Sequence, residues 1–216
     1  MPPAPEREQR LSETSRVEAF SDGVFAIIVT LLVLEIHRPS IVPGKLMEEL
    51  LAAWPAYLSY ALAFLYVGII WLNHHALFKT IHKVDVPLLC INLAGLGMTS
   101  LIPFPTGVMA DAFRSGNLAD QRAAVLLYAI MAGLMSAAWL PIFPYLARRP
   151  YLLNPNVKPA VMAAQTSRPL ISIGAYSVAA LLGWFIHPLL AIALFVFAVG
   201  HHACTSQGVN PAGAKS

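Results

Sequence analysis

The stretch RVEAFSDGVFAIIVTLLVLEI, Arg16–Ile36, decides how the rest of the chain is read. An apolar run long enough to cross most of a bilayer follows three ionisable residues, Arg16, Glu18 and Asp22, crowded at its start. Ser15 and Glu18 have capping-box spacing, so the pattern predicts a helix from Ser15 to Ile36, closed by the His37-Arg38-Pro39 break. A cleaved export signal with Val24–Leu34 as its core is the competing reading. Glu18 and Asp22 ahead of that core, no small-residue cleavage site after it, and further apolar stretches downstream weigh against it.

Those further stretches point to a membrane protein. Trp54–Leu72, Val86–Ala110 and Ala123–Ala147 each run uncharged for about the 20 residues a crossing needs. Pro103 and Pro105 predict a kink or an end in the third span, and Pro141 and Pro144 do the same in the fourth. Leu170–Gly200 is too long for one span and short for two, and His187-Pro188 is its natural break, giving two short helices. Six spans place both termini on one side with Arg7, Arg10, Arg16, Lys79, Lys83, Arg148, Arg149, Lys158, Arg168 and Lys215. The opposite side keeps only Arg38, Lys45, Arg114 and Arg122, so the positive-inside rule predicts cytoplasmic termini.

Composition agrees: 57% of the 216 residues are hydrophobic and 12% charged, with a mean hydropathy of +0.65. Soluble domains average about 45–50% apolar and about 25% charged. The expected fold class is an all-α membrane protein with six transmembrane helices per subunit. The helical domain covers 15–205, between flexible cytoplasmic tails at 1–14 and 206–216. Cys90 and Cys204 form neither a disulfide framework nor a metal-ligand spacing, so no redox or zinc cofactor is expected.

Asp22 is the unusual residue. An ionisable group at that depth faces protein or water, and Arg16, Asn73, His74 and His75 are candidate partners at the same membrane face. Adjacent histidines point about 100° apart on a helix, which favours hydrogen-bonded structural roles for His74 and His75 over a shared metal. Further along, Ile27, Leu31 and Leu34 share a helix face, with the hydroxyl of Thr30 beside them. Taken alone, that stripe reads first as the ordinary packing of a membrane helix, with a pore lining as the alternative. Aliphatic rings gate ions by dewetting, and a hydroxyl ring replaces part of an ion's hydration shell. A pore of this kind needs several subunits around an axis.

The run from Arg16 through Phe20-Ser21-Asp22 to Ile27, with Thr30-Leu31 and Leu34-Glu35-Ile36 after it, resembles the signature of the transmembrane protein 175 family. These are lysosomal and bacterial potassium channels with an R-x-x-x-F-S-D motif on the first helix. Gly68 to His75, GIIWLNHH, followed by Lys83-Val84-Asp85, is similar to the end of the family's second helix.

The resemblance implies a potassium-permeable channel without a T-V-G-Y-G filter, assembled as a homotetramer and lined by the first helices. Ile27 would form the main constriction, Leu34 a second apolar ring with Leu31 near the lining, and Thr30 a hydroxyl layer tied to potassium preference. Arg16, Phe20, Ser21 and Asp22, with Trp71, Asn73, His74 and His75, would be structural or gating residues. Potassium ions and the lipid bilayer are the implied partners, in the cell (inner) membrane, with no nucleic acid and no enzymatic activity. The alternative is a secondary transporter, proton-coupled through Asp22 and the histidines. It predicts paired broken helices or internal repeats, and the sequence displays neither.

Overall fold

The computed structural model describes residues 12–39 and 42–205. Most of the expected tails, residues 1–11 and 206–216, lies outside them, as do the side chains of His201, His202 and Cys204. The chain is helical apart from two short strands, β1 (Ser12–Glu13) and β2 (Lys83–Val84), which pair antiparallel. Five stretches are long and apolar enough to cross a membrane: Thr14–Glu35, Trp54–Phe78, Val86–Ser115, Leu118–Ala147 and Pro159–Phe185. A shorter apolar helix follows at Pro188–Gly200.

The first stretch is α1 (Thr14–Leu32) tightening into a 3-10 turn at Val33–Glu35. After the short α2 (Leu46–Ala52), α3 (Trp54–Phe78) runs six residues past the expected end at Leu72 and so carries Asn73, His74 and His75 on its last turns. Asp85 caps α4 (Val86–Thr99), its carboxylate accepting the Leu88 N–H at 3.1 Å. Pro103 then cannot donate to Thr99. The Ile102 N–H takes the Thr99 carbonyl instead at 3.1 Å, and α5 (Pro103–Ser115) continues beyond the kink.

Helix α5 also outlasts its expected end at Ala110, because Asp111 and Arg114 sit on its final turns. Gly116, at φ 72°, ends it, and Asn117 starts α6 (Leu118–Trp139) by accepting the Ala119 and Asp120 N–H groups. The break around Pro141 leads into α7 (Ile142–Ala147). Helices α8 (Pro159–Gln165) and α9 (Ser167–Phe185) follow. The expected division at His187-Pro188 is present: Nδ1 of His187 accepts the Leu189 N–H at 3.2 Å, and α10 (Pro188–Thr205) begins.

Side chains pack into two clusters. One joins Phe25, Ile28 and Leu32 of α1 to Tyr66, Leu96, Tyr128, Tyr176 and Phe195. The other lies at the β1–β2 end, where Val17, Phe78, Val84, Leu88, Leu146, Leu152 and Met162 meet. The outside is apolar as well, with Leu93, Phe104, Leu181, Phe185 and Phe197 all exposed, as suits a hydrocarbon solvent.

Candidate functional site

Helix α1 is divided lengthwise. Val17, Ser21, Phe25, Ile28 and Leu32 are buried at spacings of four, four, three and four, which keeps them on one face. Phe20, Gly23, Ile27, Thr30 and Leu34 are exposed at spacings of three, four, three and four. At 100° per residue the two stripes lie about 140° apart. Ile27 is 60% exposed and Leu34 68%, with Leu31 exposed beside them, although α1 touches α3, α4 and α5 of its own subunit. The Thr30 hydroxyl donates to the Ile27 carbonyl at 2.8 Å, which leaves its oxygen lone pairs on the open face.

The buried face is fixed by polar contacts about two turns inside the helix start. Ser21 Oγ donates to the Val17 carbonyl at 2.8 Å and accepts Asn92 Nδ2 from α4 at 3.1 Å. Asn92 Oδ1 lies 3.0 Å from His74 Nε2. An amide oxygen only accepts, so the bond requires the proton on Nε2 of His74. All three side chains are buried. The imidazole is boxed in by aromatics, stacked on Phe78 at 4.3 Å between ring centroids and edge-on to Phe25 and Trp139.

Asp22 finds a neutral donor. Trp71 Nε1 donates to Asp22 Oδ1 at 2.8 Å, so the indole takes the place for which Arg16, Asn73, His74 and His75 were candidates. Those histidines turn elsewhere because consecutive helical positions diverge. His74 reaches Asn92, while His75 Nδ1 lies 2.8 Å from Glu18 Oε1 in a close contact without hydrogen-bond alignment. Glu18, the expected capping-box acid, is thereby turned to α3, and the helix begins one residue early at Thr14, whose hydroxyl donates to the His82 carbonyl at 3.0 Å. Arg16, Phe20 and Asn73 take no part in this network among the described residues. Asn92 and Glu18 are the partners sequence reasoning missed. Asn92 was detectable as the single amide in the uncharged stretch Val86–Ala110.

A family model described as "Endosomal/lysosomal potassium channel TMEM175" matches residues 16–103, which contain nearly all of α1, its exposed stripe and every member of the network. A potassium channel of Streptomyces collinus is 39% identical over 166 residues, covering 76% of this chain and 80% of that protein. A potassium channel of Chamaesiphon minutus is 42% identical over 103 residues, 46% of this chain and 51% of the relative. The crystal structure of a lysosomal potassium-selective channel TMEM175 homolog from Chamaesiphon minutus superposes with a TM-score of 0.76 at 30% identity, covering 90% of this chain and 98% of that one. With sequence, fold and span pattern in agreement over most of its length, this multi-pass membrane protein belongs to the TMEM175 family.

Proposed function

We propose that this chain is one subunit of a potassium-permeable channel that conducts cations passively through a central pore lined by α1. The observation that carries the reading is the division of α1, whose inner face is anchored while its outer face leaves Ile27, Thr30, Leu31 and Leu34 exposed in the subunit. A single helix encloses no pore, so copies meet around an axis, and four is the number proposed. Ile27 and Leu34 form apolar constrictions that pass ions only when wetted, and the Thr30 layer between them offers oxygen to a partly dehydrated cation. The relatives named as potassium channels support potassium as that cation.

Helix α10, with 18 residues, reaches about 27 Å at 1.5 Å per residue and serves as the sixth crossing. Both termini then share the cytoplasmic side of the cell membrane with the basic loops.

Purified protein in liposomes under potassium or sodium gradients tests the assignment. Wild type should pass potassium down its gradient without a coupling ion. Ile27→Asn should raise the flux by wetting the constriction, and Thr30→Ala should narrow the difference between potassium and sodium. Absence of uncoupled flux in both wild type and Ile27→Asn refutes the pore. Flux that appears only with a proton gradient assigns the chain to the transporters instead.

A further inference from the structure

No Asp or Glu follows Asp120 in the chain, so the basic residues beyond Arg122 have no acid nearby in sequence to neutralise them. Four of them, Arg148, Arg149, Lys158 and Arg168, lie on the elbow that runs from the end of α7 through α8 to the first turn of α9. Met162 of α8 packs with Ile81, Val84 and Leu152, which places the elbow at the β1–β2 end of the bundle. Arg149 is already engaged: its guanidinium sits 4.1 Å above the Tyr145 ring, and its Nη1 lies 3.9 Å from Asp85. Arg148, Lys158 and Arg168 have no ion pair among the described residues.

The apolar flank of the protein begins directly beside Arg168. Just past Arg168 and Pro169, Leu170 and Ile171 are 52% and 61% exposed, as lipid-facing residues at the foot of a span are. Tyr151, exposed near Arg148, suits the same interfacial level. Unpaired cations beside exposed aliphatic side chains match a ligand that carries a phosphate and an acyl chain together, and neither a soluble anion nor a neutral lipid supplies both.

We propose that the 148–168 elbow is a docking surface for the phosphate headgroups of anionic lipids, with Arg148, Lys158 and Arg168 as its cations. The surface is wired to the start of α1. The Leu152 carbonyl accepts the His82 N–H at 2.7 Å, the Asn154 N–H donates to the Thr80 carbonyl at 2.9 Å, and β2 next door pairs with β1. A lipid held on the elbow therefore steadies the strand pair from which α1 departs.

The test uses the full chain in a neutral detergent, titrated with dioleoyl phosphatidylglycerol, dioleoyl phosphatidylcholine or inorganic phosphate, with thermal stability as the readout. It needs no flux, so its outcome is independent of the channel assignment. Phosphatidylglycerol should raise the melting temperature saturably, while phosphatidylcholine and free phosphate should not. Each cation near a lipid surface contributes about fivefold in affinity, so the Arg148→Gln/Lys158→Gln/Arg168→Gln variant should bind phosphatidylglycerol on the order of a hundredfold more weakly. The single variants Arg148→Gln and Lys158→Gln remove exposed charges and should each cost about fivefold, which keeps the test readable if the triple variant does not fold. Lys45→Gln, at the opposite end, should change nothing. An equal shift with phosphatidylcholine, a response to phosphate alone, or unchanged phosphatidylglycerol affinity in both single variants overturns the proposal.

Discussion

Replacing Asn92 by Leu isolates what the buried polar network contributes, because the two side chains have similar volumes and only the amide is lost. The substitution removes the bond to Ser21 Oγ at 3.1 Å and strands Nε2 of His74, which has no other partner among the described residues. Side-chain hydrogen bonds between membrane helices average about 0.6 kcal/mol and reach about 1.7, so two of them cost about 1–3 kcal/mol. For a protein of this length, 1 kcal/mol moves the melting temperature by about 2–4 °C, and the expected loss is about 2–12 °C. Intrinsic tryptophan fluorescence during heating in detergent reads it. A second variant sharpens the argument. His74→Phe keeps the aromatic box with Phe25, Phe78 and Trp139 but has no N–H to satisfy. Combined with Asn92→Leu it should cost less than the two single changes together, by about 0.6–1.7 kcal/mol. An Asn92→Leu protein as stable as wild type, or a strictly additive double variant, would refute the claim that this network holds α1 to α3 and α4.

Gly95→Ala should destabilise the protein by about 1–3 kcal/mol, because its Cβ would stand 2.6–2.8 Å from the Trp139 ring carbons. Gly97→Ala meets open space in the same helix and should be neutral or gain up to about 1 kcal/mol, so denaturation of the pair separates steric conflict from helix propensity. Asp85→Ala should cost about 1–3 kcal/mol, since it removes the α4 cap and the acceptor for Tyr145 Oη at 2.8–2.9 Å. Asp85→Asn keeps one amide oxygen for the cap and should lose about half as much in the same thermal assay.

What could be read from the sequence was whatever depends on composition and backbone chemistry. Uncharged runs located the long spans, and proline chemistry located the breaks near residues 103, 141 and 188, because a missing N–H interrupts a helix whatever surrounds it. Charge misled the reading at helix ends. Asp111 and Arg114 suggested a loop after Ala110, yet the last turn of a membrane helix stands in the interface, where Arg114 reaches Glu49 at 2.9 Å. Partner choice was illegible for a different reason. Asp22 had several plausible donors at matching depth, and only the relative rotation of α1 and α3 selects Trp71 over the histidines three and four residues further on, about one helical turn away. The pairing of Ser12–Glu13 with Lys83–Val84 joins residues some seventy positions apart, and two-residue strands carry no periodicity to announce them.

The placement of the polar contacts follows from the geometry of α1. In lipid the hydrophobic effect does not drive helices together, so an inner helix is retained by packing and by hydrogen bonds. If α1 gives one face to other subunits, as proposed, it has only its remaining face with which to stay in its own. On α1 the apolar part of that face, Phe25, Ile28 and Leu32, packs well but is not directional, and a rotation of one residue would still bury apolar atoms. Ser21 and Asp22 are directional, bonded to Asn92 and Trp71, while Glu18 makes a close contact with His75 alongside them, and rotating the helix by 100° would strand at least one buried polar group. The cluster therefore fixes which residues the opposite stripe presents. If α1 lines the pore as proposed, the R-x-x-x-F-S-D segment would act on conduction from a distance: by setting the rotation of α1 it would decide that Ile27, Thr30 and Leu34, rather than their neighbours, face outward.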